Sequence, residues 1–527
     1  MNAVSAAQHS RFCKLIVFLC HTFLTWCEGS ALIAGLHRFG LACGRAWADS
    51  GFGRAWRNSA LVGFFLREGV LSRSWRHSLI CRGLSGLLNL PTRGLQRAYR
   101  RAPAAFEHSG AARFLLAAAD GTPLLVGWLM LAVMVIPYES WNNLYALGGL
   151  LFCFLLTILA GTRRPDFRLS LAAVGPWLFA FAVLVVAAWI LSTDRDASTR
   201  FLFFHLTNML CVLILVTTIE HRDQLVRLLG VSSAAMAIMS AVAFGQRIAG
   251  VEVDPTSVDV TLDLNRGMPG RVFAFYENPN SFGEVLLMLL PLTFALILCA
   301  RTWWGRTLAL VSGAMGCMAI AMTYSRAAWV GLVAAVFLFL LLWKKKLVPI
   351  AILLGLASLL VLPHTVSNRI LSIFSSSDTS TNSRIPYYEA AWRLIQQEPV
   401  LGAGLGSDTV RDAIGKANYF YGLDLFVHCH NIYLQMWCET GIFGLLTLVG
   451  GILWTVRQGA RTLKNTCSTP QTRLALIGGV SSVFGAMICG IGDYIWSYPR
   501  VMLIFWFVAG IALAAIRLAA LEDRDRA

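Results

Sequence analysis

Apolar residues fill long and nearly uninterrupted runs along most of this chain, and short polar segments separate the runs. Many of the runs exceed sixteen residues, which is enough to cross a bilayer with some tilt or local thinning. The runs are continuous rather than alternating, so they favour helices over a β-barrel. The pattern predicts an all-α, polytopic membrane protein.

We place about twelve transmembrane helices, and the polar segments between them divide the chain into four regions. Residues 1–118 come before the first span, 119–363 hold spans one to nine, 364–430 form a large external loop, and 431–527 hold the last three spans and a short cytoplasmic tail. The predicted spans lie near 122–137, 144–160, 169–191, 201–219, 228–245, 281–300, 307–323, 327–343, 347–363, 431–455, 473–490 and 501–518.

Composition agrees with a membrane protein. The 527 residues are 57% hydrophobic and 14% charged, with a mean hydropathy of +0.64, whereas soluble domains are about a quarter charged. The thirteen cysteines are scattered and contain no CxxC pair, so neither a disulfide framework nor a zinc site is supported.

The formal charge of +16 is distributed between the apolar runs and in the N-terminal region. This distribution orients membrane proteins, so we reject a nucleic-acid partner. By the positive-inside rule, one set of loops and both termini are cytoplasmic. The basic residues of these loops are Arg163, Arg164, Arg168, Arg222, Arg227, Arg301, Arg306, Lys344, Lys345, Lys346, Arg457, Arg461 and Lys464.

Residues 1–118 have a different character from the rest. They contain fifteen Arg or Lys residues against four acids, and short apolar pieces alternate with Arg and Trp. Amphipathic helices lying on an anionic leaflet fit this pattern best, with Arg at the headgroups. A solvated basic tail and a single span near residues 15–35 remain as alternatives.

Four arginines lie near predicted external span ends, where arginine is costly unless it pairs or lines a polar cavity. A bound anion is a natural partner, because the planar guanidinium suits phosphate oxygens. Snorkelling to the headgroups remains an alternative for each. The four are Arg200, Arg271, Arg326 and Arg384.

His428 and His430 stand where the large external loop enters an apolar run. We disfavour a metal site, because the two histidines diverge at helical spacing and no acid nearby completes a ligand set. Capping or packing is one alternative. A general base is the sharper hypothesis, because imidazole changes protonation near neutral pH. Cys429, between them, is expected to be reachable from outside.

Two further segments have local signatures. "ENPNS" at 277–281 is typical of a helix start, with Asn278 as the cap and Pro279 in the first turn. "PVLGAGLGS" at 399–407 is rich in glycine. A tight turn explains that run better than phosphate binding does.

Together these segments resemble the O-antigen ligase and polymerase superfamily of bacterial envelope glycosyltransferases. "RVFAFYENPNSFGEV" resembles its Arg and Asn-Pro-Asn segment, "TYSRAAWVGL" its Ser-Arg-x-x-Trp hairpin, and "HCHNIYLQMW" its His-Asn-x-Tyr-Leu helix. The resemblance covers roughly residues 120–520.

The resemblance implies transfer of a glycan from a polyprenyl-diphosphate carrier to an acceptor hydroxyl, with inversion and without metal or cofactor. It implies a multi-pass protein of the cytoplasmic (inner) membrane whose active site faces outward. Arg271 and Arg326 match the donor-diphosphate arginines and His430 the catalytic histidine. Asn280, Asn431 and Tyr433 lie in the matched motifs as supporting residues.

The sequence leaves ligase and polymerase unresolved, because they differ in acceptor, and the residues that contact the acceptor cannot be identified from the sequence. A transporter or flippase of lipid-linked glycans is the main alternative from another class. The candidate residues cluster at one face and no inverted repeat is found, which favours an enzyme. A scaffold role is weaker still.

Overall fold

The computed structural model describes residues 51–58, 70–251, 270–358, 384–420 and 427–526, with scattered positions in 35–50 and 366–370. Residues 1–34 of the predicted N-terminal region 1–118 therefore lie outside the described residues, and with them nearly all of the alternative span near 15–35. The middle of the first long external loop and parts of the large loop lie outside them too.

Every regular element among the described residues is a helix, which confirms the all-α fold. The α-helices are Gly51–Asn58, Val70–His77, Leu79–Leu88, Leu90–Arg101, Pro103–His108, Gly110–Asp120, Thr122–Val135, Asn143–Ala160, Leu171–Val174, Pro176–Ile190, Arg195–Thr218, Arg222–Ala249, Pro279–Cys299, Trp303–Met322, Arg326–Lys344, Val348–Ser358, Ile385–Gln397, Ser407–Lys416, Ile432–Asn465, Pro470–Cys489 and Pro499–Arg524.

The chain divides into two compact units. One comprises Met1–Phe64 and Lys344–Leu362, and the other comprises Phe65–Trp343 and Pro363–Ala527. In the first unit the described α-helices are Gly51–Asn58 and Val348–Ser358. The candidate site lies wholly in the second unit, so the remaining description concerns that unit.

Within the described residues, nine helical segments are long and apolar enough to cross a membrane, or ten if the bent pair Gly110–Asp120 and Thr122–Val135 counts as one span. This confirms a polytopic helical protein but not the count of twelve. Three predicted spans differ from the helices found. The span predicted at 169–191 contains the shorter apolar helix Pro176–Ile190. The span 327–343 and the described part of the span 347–363, residues 347–358, fall within one apolar segment, Arg326–Ser358.

Basic loops that we predict to be cytoplasmic meet at one end of the long helices. Arg164 forms ion pairs with Asp120 at 2.9 Å and with Glu220 at 2.6 Å. Arg301 lies 3.6 Å from Asp223. These pairs join loops that are distant in sequence, as expected if all of them emerge on the same side of a membrane.

The predicted external connections meet at the opposite end of the same helices. Asn278, which caps Pro279–Cys299, donates to the Tyr498 hydroxyl at 3.1 Å. Thr193, just before the helix Arg195–Thr218, donates its backbone N–H to Ala403 of the glycine-rich run at 2.9 Å. The long helices therefore separate a basic end from the end that holds the candidate site.

The glycine-rich run packs against a kink in the helix Ile432–Asn465. The kink is at Gly441, whose φ of +68° suits glycine. The backbone N–H of Ile442 donates to Pro399 O at 3.0 Å, and the N–H of Ala403 donates to Cys438 O at 2.7 Å. The run is thus a set of tight turns that fixes the large loop onto the helix which follows His430.

We expect Gly441→Ala to destabilise the protein by about 1–3 kcal/mol or more, because it places a Cβ at a left-handed φ. That Cβ would lie 1.9 Å from the carbonyl oxygen of Val400, so backbone must move. The measurement is thermal unfolding of the purified protein in detergent.

Gly415→Ala is the matched control, because nothing lies within 4 Å of a Cβ there. Gly415 is in the helix Ser407–Lys416, where alanine is the better helix former. Equal melting temperatures for the two variants would contradict the proposed role of the kink.

Candidate functional site

The turn before the helix Ile432–Asn465 is fixed by Asn431 and Tyr433. Asn431 Oδ1 accepts the backbone N–H groups of Tyr433 at 2.9 Å and Leu434 at 3.1 Å, as a helix cap. Its Nδ2 donates to Ile491 O at 2.9 Å, and the Tyr433 hydroxyl donates to Met487 O at 2.8 Å. These two of the three predicted supporting residues therefore position the histidines that precede them.

His430 has a left-handed backbone, with φ of +44°. Its N–H donates to Nδ1 of His428 at 3.1 Å, and the ring centroids of the two histidines are 4.2 Å apart. His428 Nδ1 is thus an acceptor. Burial, together with the neighbouring His430, lowers the pKa of His428 to about 3. His428 is therefore neutral, and it holds the strained turn.

Asp493 faces His430 and was missed by the sequence analysis. Its Oδ1 lies 3.6 Å from His430 Nδ1, slightly beyond hydrogen-bond range, and accepts the Tyr494 N–H at 2.9 Å. The side chain is only 8% exposed. Burial alone would raise the pKa of Asp493, but His430, Arg384 and His428 outweigh it and hold that pKa well below its usual range. Asp493 is therefore a buried anion.

Asn280 connects this anion to Arg271. Its Nδ2 donates to Asp493 Oδ2 at 3.1 Å, and its Oδ1 accepts from Arg271 Nη2 at 2.6 Å. Arg271 Nε also donates to Thr323 O at 2.7 Å. A chain of contacts thus runs from Arg271 through Asn280 and Asp493 to His430, and it joins segments that are far apart in sequence.

Arg384 and Arg326 lie at the same end of the helices. Arg384 Nη1 donates to Gly492 O at 2.6 Å, next to Asp493. Arg326 begins the helix Arg326–Lys344, three residues after the carbonyl that Arg271 contacts. A Cβ at Gly492 would lie 3.4 Å from the side chain of Ala327, the next residue. Contacts therefore link Arg271 and Arg384 to the residues around the histidines, and Arg326 lies at the same end of the helices.

Arg200 is placed differently. Its guanidinium pairs with Asp408 of the helix Ser407–Lys416 and lies 5.3 Å from the centre of the Phe201 ring. It borders a separate cavity of about 430 Å³. The contacts described for Arg200 do not join it to the chain from Arg271 to His430.

Arg500 is a second residue that the sequence analysis missed. It is 2% exposed, and its Nη2 donates to Ile136 O at 2.7 Å and to Phe275 O at 3.2 Å. Its guanidinium lies 4.4 Å from the centre of the Tyr276 ring. Arg500 therefore anchors the segment that carries Arg271 and Asn280. Its position at the start of an apolar run was the signal available in the sequence.

The expectation that Cys429 is reachable from outside is wrong. Cys429 is fully buried, in a small core with Ala390, Ala403 and Cys438. Its backbone N–H donates to Gln435 Oε1 at 3.0 Å. The histidines on each side line the site, while the side chain between them faces the interior of the loop.

The fold and this cluster define a multi-pass helical membrane protein with a polar site at one end of its helices. Residues 310–449, roughly a quarter of the chain, match the family model described as O-antigen ligase. The match confirms the resemblance to the O-antigen ligase and polymerase superfamily, and it supports an O-antigen ligase-like or polymerase-like function in general. No curated protein matches the chain.

The matched residues include Arg326, Arg384, His428 and His430. Arg271 and Asp493 lie outside the match, on either side of it. Arg271 contacts the matched segment at Thr323 O and Asp493 faces it at His430, while Asn280 joins Arg271 to Asp493.

We expect a maleimide to modify Cys467 of the folded, detergent-solubilised protein and to leave Cys429 unmodified until the protein is unfolded. Cys467 is exposed, whereas Cys429 is fully buried. Peptide mass spectrometry after timed labelling measures both rates in one sample. Similar rates at the two cysteines would show that the large loop does not have the packing described.

Proposed function

We propose that this protein transfers a glycan from a polyprenyl-diphosphate carrier to an acceptor sugar hydroxyl at the extracytoplasmic face of the cytoplasmic membrane. The observation that carries the proposal is the chain of contacts from Arg271 through Asn280 and Asp493 to His430. It links a cationic group suited to phosphate, through two side chains, to a group suited to proton transfer, and such a reaction needs both groups in one site.

The donor's diphosphate is bound by Arg271, Arg326 and Arg384. A diphosphate leaves without a general acid, but negative charge develops on its bridging oxygen as the bond to the sugar breaks. Arginines held in advance stabilise that charge without having to reorganise. The backbone bonds of Arg271 to Thr323 and of Arg384 to Gly492 supply this preorganisation. In this proposal Arg200 binds more distal phosphate or glycan oxygens.

His430 takes the proton of the acceptor hydroxyl. The hydroxyl oxygen attacks the anomeric carbon from the side opposite the diphosphate, so the configuration inverts and no metal takes part. Asp493 lies on the Nδ1 side of the His430 ring. It favours the tautomer with a proton on Nδ1, which leaves the lone pair of Nε2 to act as the base. Asp493 is thus a positioning residue.

The charge pattern supports placing the site outside the cytoplasm. Arg164, Arg301 and other basic loop residues lie at the opposite end of the helices, and the positive-inside rule assigns that end to the cytoplasm. Both termini are cytoplasmic in this scheme. A carrier lipid in the outer leaflet then presents its diphosphate at the level of Arg271 and Arg326.

The experiment that tests the proposal is turnover of a synthetic polyprenyl-diphosphate-linked oligosaccharide by the purified protein, with products identified by mass spectrometry. Two acceptors are offered, because the acceptor used distinguishes a polymerase from a ligase. Elongation of the lipid-linked donor itself indicates a polymerase, and transfer to a glycolipid core indicates a ligase. Donor flipping across vesicles without any new glycosidic bond would indicate a transporter.

We expect His430→Ala to lower turnover by about 10²–10⁴-fold, because a general base acts only in the transition state. Donor binding should change by less than about threefold, since the diphosphate contacts remain. Turnover is measured by product mass spectrometry and binding by donor titration. Activity within about tenfold of the wild type would remove His430 from this role.

Two variants of His428 provide the control. His428→Ala removes the acceptor for the His430 N–H, whereas His428→Asn retains an acceptor oxygen. If His428 only positions the turn, Asn should restore most of the activity lost with Ala. Equal losses in both, larger than that of His430→Ala, would make His428 the base.

We expect Arg271→Lys and Arg326→Lys each to lower turnover by at least about tenfold, because lysine lacks the planar fork that binds two oxygens. Arg195→Lys is the control at the same end of the helices, since Arg195 is exposed and, within the part of the chain that the structure describes, its side chain bonds only to Ile190 O, through Nε. Normal turnover by both site variants would mean that these arginines serve only as surface charges.

A further inference from the structure

A second polar site lies at the basic end of the helices and takes no part in the proposed chemistry. It is a cavity of about 810 Å³, formed where the helices Leu79–Leu88 and Leu90–Arg101 meet the loop after Asn143–Ala160. Six arginines and two acids line it. The arginines are Arg76, Arg82, Arg93, Arg164, Arg168 and Arg517.

The side chains of three of these arginines have no ion-pair or hydrogen-bond partner among the described residues. Arg164 is neutralised by Glu220 and Asp120, and Arg517 Nη1 donates to Ile219 O at 3.1 Å. In contrast, no side-chain bond or ion pair joins Arg76, Arg82 or Arg93 to any residue described here. The cavity is therefore strongly cationic and has spare donors.

The walls of the cavity are held together by buried side chains, so the cavity is formed in advance. Gln96 Nε2 donates to Arg164 O at 2.7 Å and its Oε1 accepts from Arg168 Nη1 at 3.2 Å. Asn89 Oδ1 accepts the backbone N–H of Leu169 at 2.7 Å. Asn89 and Gln96 are 2% and 5% exposed. These bonds join the N-terminal helices to the loop and would need no ligand to order them.

The helix Leu79–Leu88 shows which environment the cavity faces. Arg82 and its neighbours one turn later line the cavity, whereas a second face of the helix is apolar and exposed. The apolar residues on that face are Ile80 at 62%, Leu84 at 36% and Leu87 at 64% exposure. A helix with this division lies in a membrane interface, with its apolar face among acyl chains.

We infer that this cavity binds the headgroup of an anionic phospholipid. Arginine binds phosphate oxygens through paired donors, and basic cavities beside membrane helices bind anionic headgroups. The exposed apolar face next to the cavity favours a lipid over a soluble anion. The size of the cavity and its three unpaired arginines suit two phosphates, as in cardiolipin.

This lipid site is distinct from the proposed catalytic site. The helix Pro499–Arg524 spans the distance between them. Pro499 is at the end of the candidate catalytic site, where Tyr498 contacts Asn278, and Arg517 lines the cavity. The two residues are eighteen positions apart, or about 27 Å at 1.5 Å per residue. The two sites thus lie near opposite surfaces of the membrane. Lipid binding here does not depend on the proposed glycosyl transfer.

The test is titration of the purified full-length chain in detergent with cardiolipin, phosphatidylcholine and inorganic pyrophosphate, with bound ligand counted by native mass spectrometry. We expect one saturable cardiolipin, little phosphatidylcholine and little pyrophosphate. Arg82→Gln/Arg93→Gln should weaken cardiolipin binding about 30-fold, at about 1 kcal/mol per arginine. Either single variant should weaken cardiolipin binding about fivefold. The single variants test the same prediction if the double variant is unstable.

Arg97→Gln/Arg101→Gln is the matched control. It removes the same charge from the helix Leu90–Arg101, at exposed positions that do not line the cavity. Cardiolipin affinity within about threefold of wild type is expected. An equal loss of cardiolipin affinity in both double variants would show that diffuse surface charge causes the binding, and it would overturn the proposed site. Pyrophosphate binding as tight as cardiolipin would overturn the lipid assignment.

Discussion

A buried carboxylate at the helix ends imposes the main constraint on the candidate site. Asp493 is almost inaccessible, and an isolated charge in such a place costs several kcal/mol. Its charge is held by Asn280, by the N–H of Tyr494 and by the nearby Arg384 and histidines. Because these groups come from four separate segments of the chain, satisfying one charge determines how the ends of the helices meet.

The same constraint explains why the histidine turn tolerates strain. A φ of +44° at His430 costs of order 1–3 kcal/mol for a residue other than glycine. The bond to His428 and the cap at Asn431 hold this turn, in which the His430 ring faces Asp493. The strain is thus part of the arrangement that sets which imidazole nitrogen faces the carboxylate.

Sequence patterns predicted the helices and much of the site, because each depends on local composition. Apolar runs indicated the spans. Arg271, Arg326 and Arg384 were identified because they lie near the predicted external ends of those spans. Asp493 could not be found this way, since one acid in a short loop is ordinary until tertiary contacts bury it. Cys429 was misjudged for the same reason, because its exposure depends on a small core formed by loop helices.

The positive-inside rule accounts for arginines at the basic end of the helices without assigning them any further role. The structure separates them into two groups by their contacts. Arg164 and Arg301 are paired with acids, which suffices for loops that need only a net orientation signal. Arg82 and Arg93 line a preformed cavity. Their side chains have no ion-pair or hydrogen-bond partner among the described residues. A topological signal requires positive charge in the loops, but it does not require that arginine side chains line one cavity. The gathering of these arginines around one cavity therefore needs a separate physical cause.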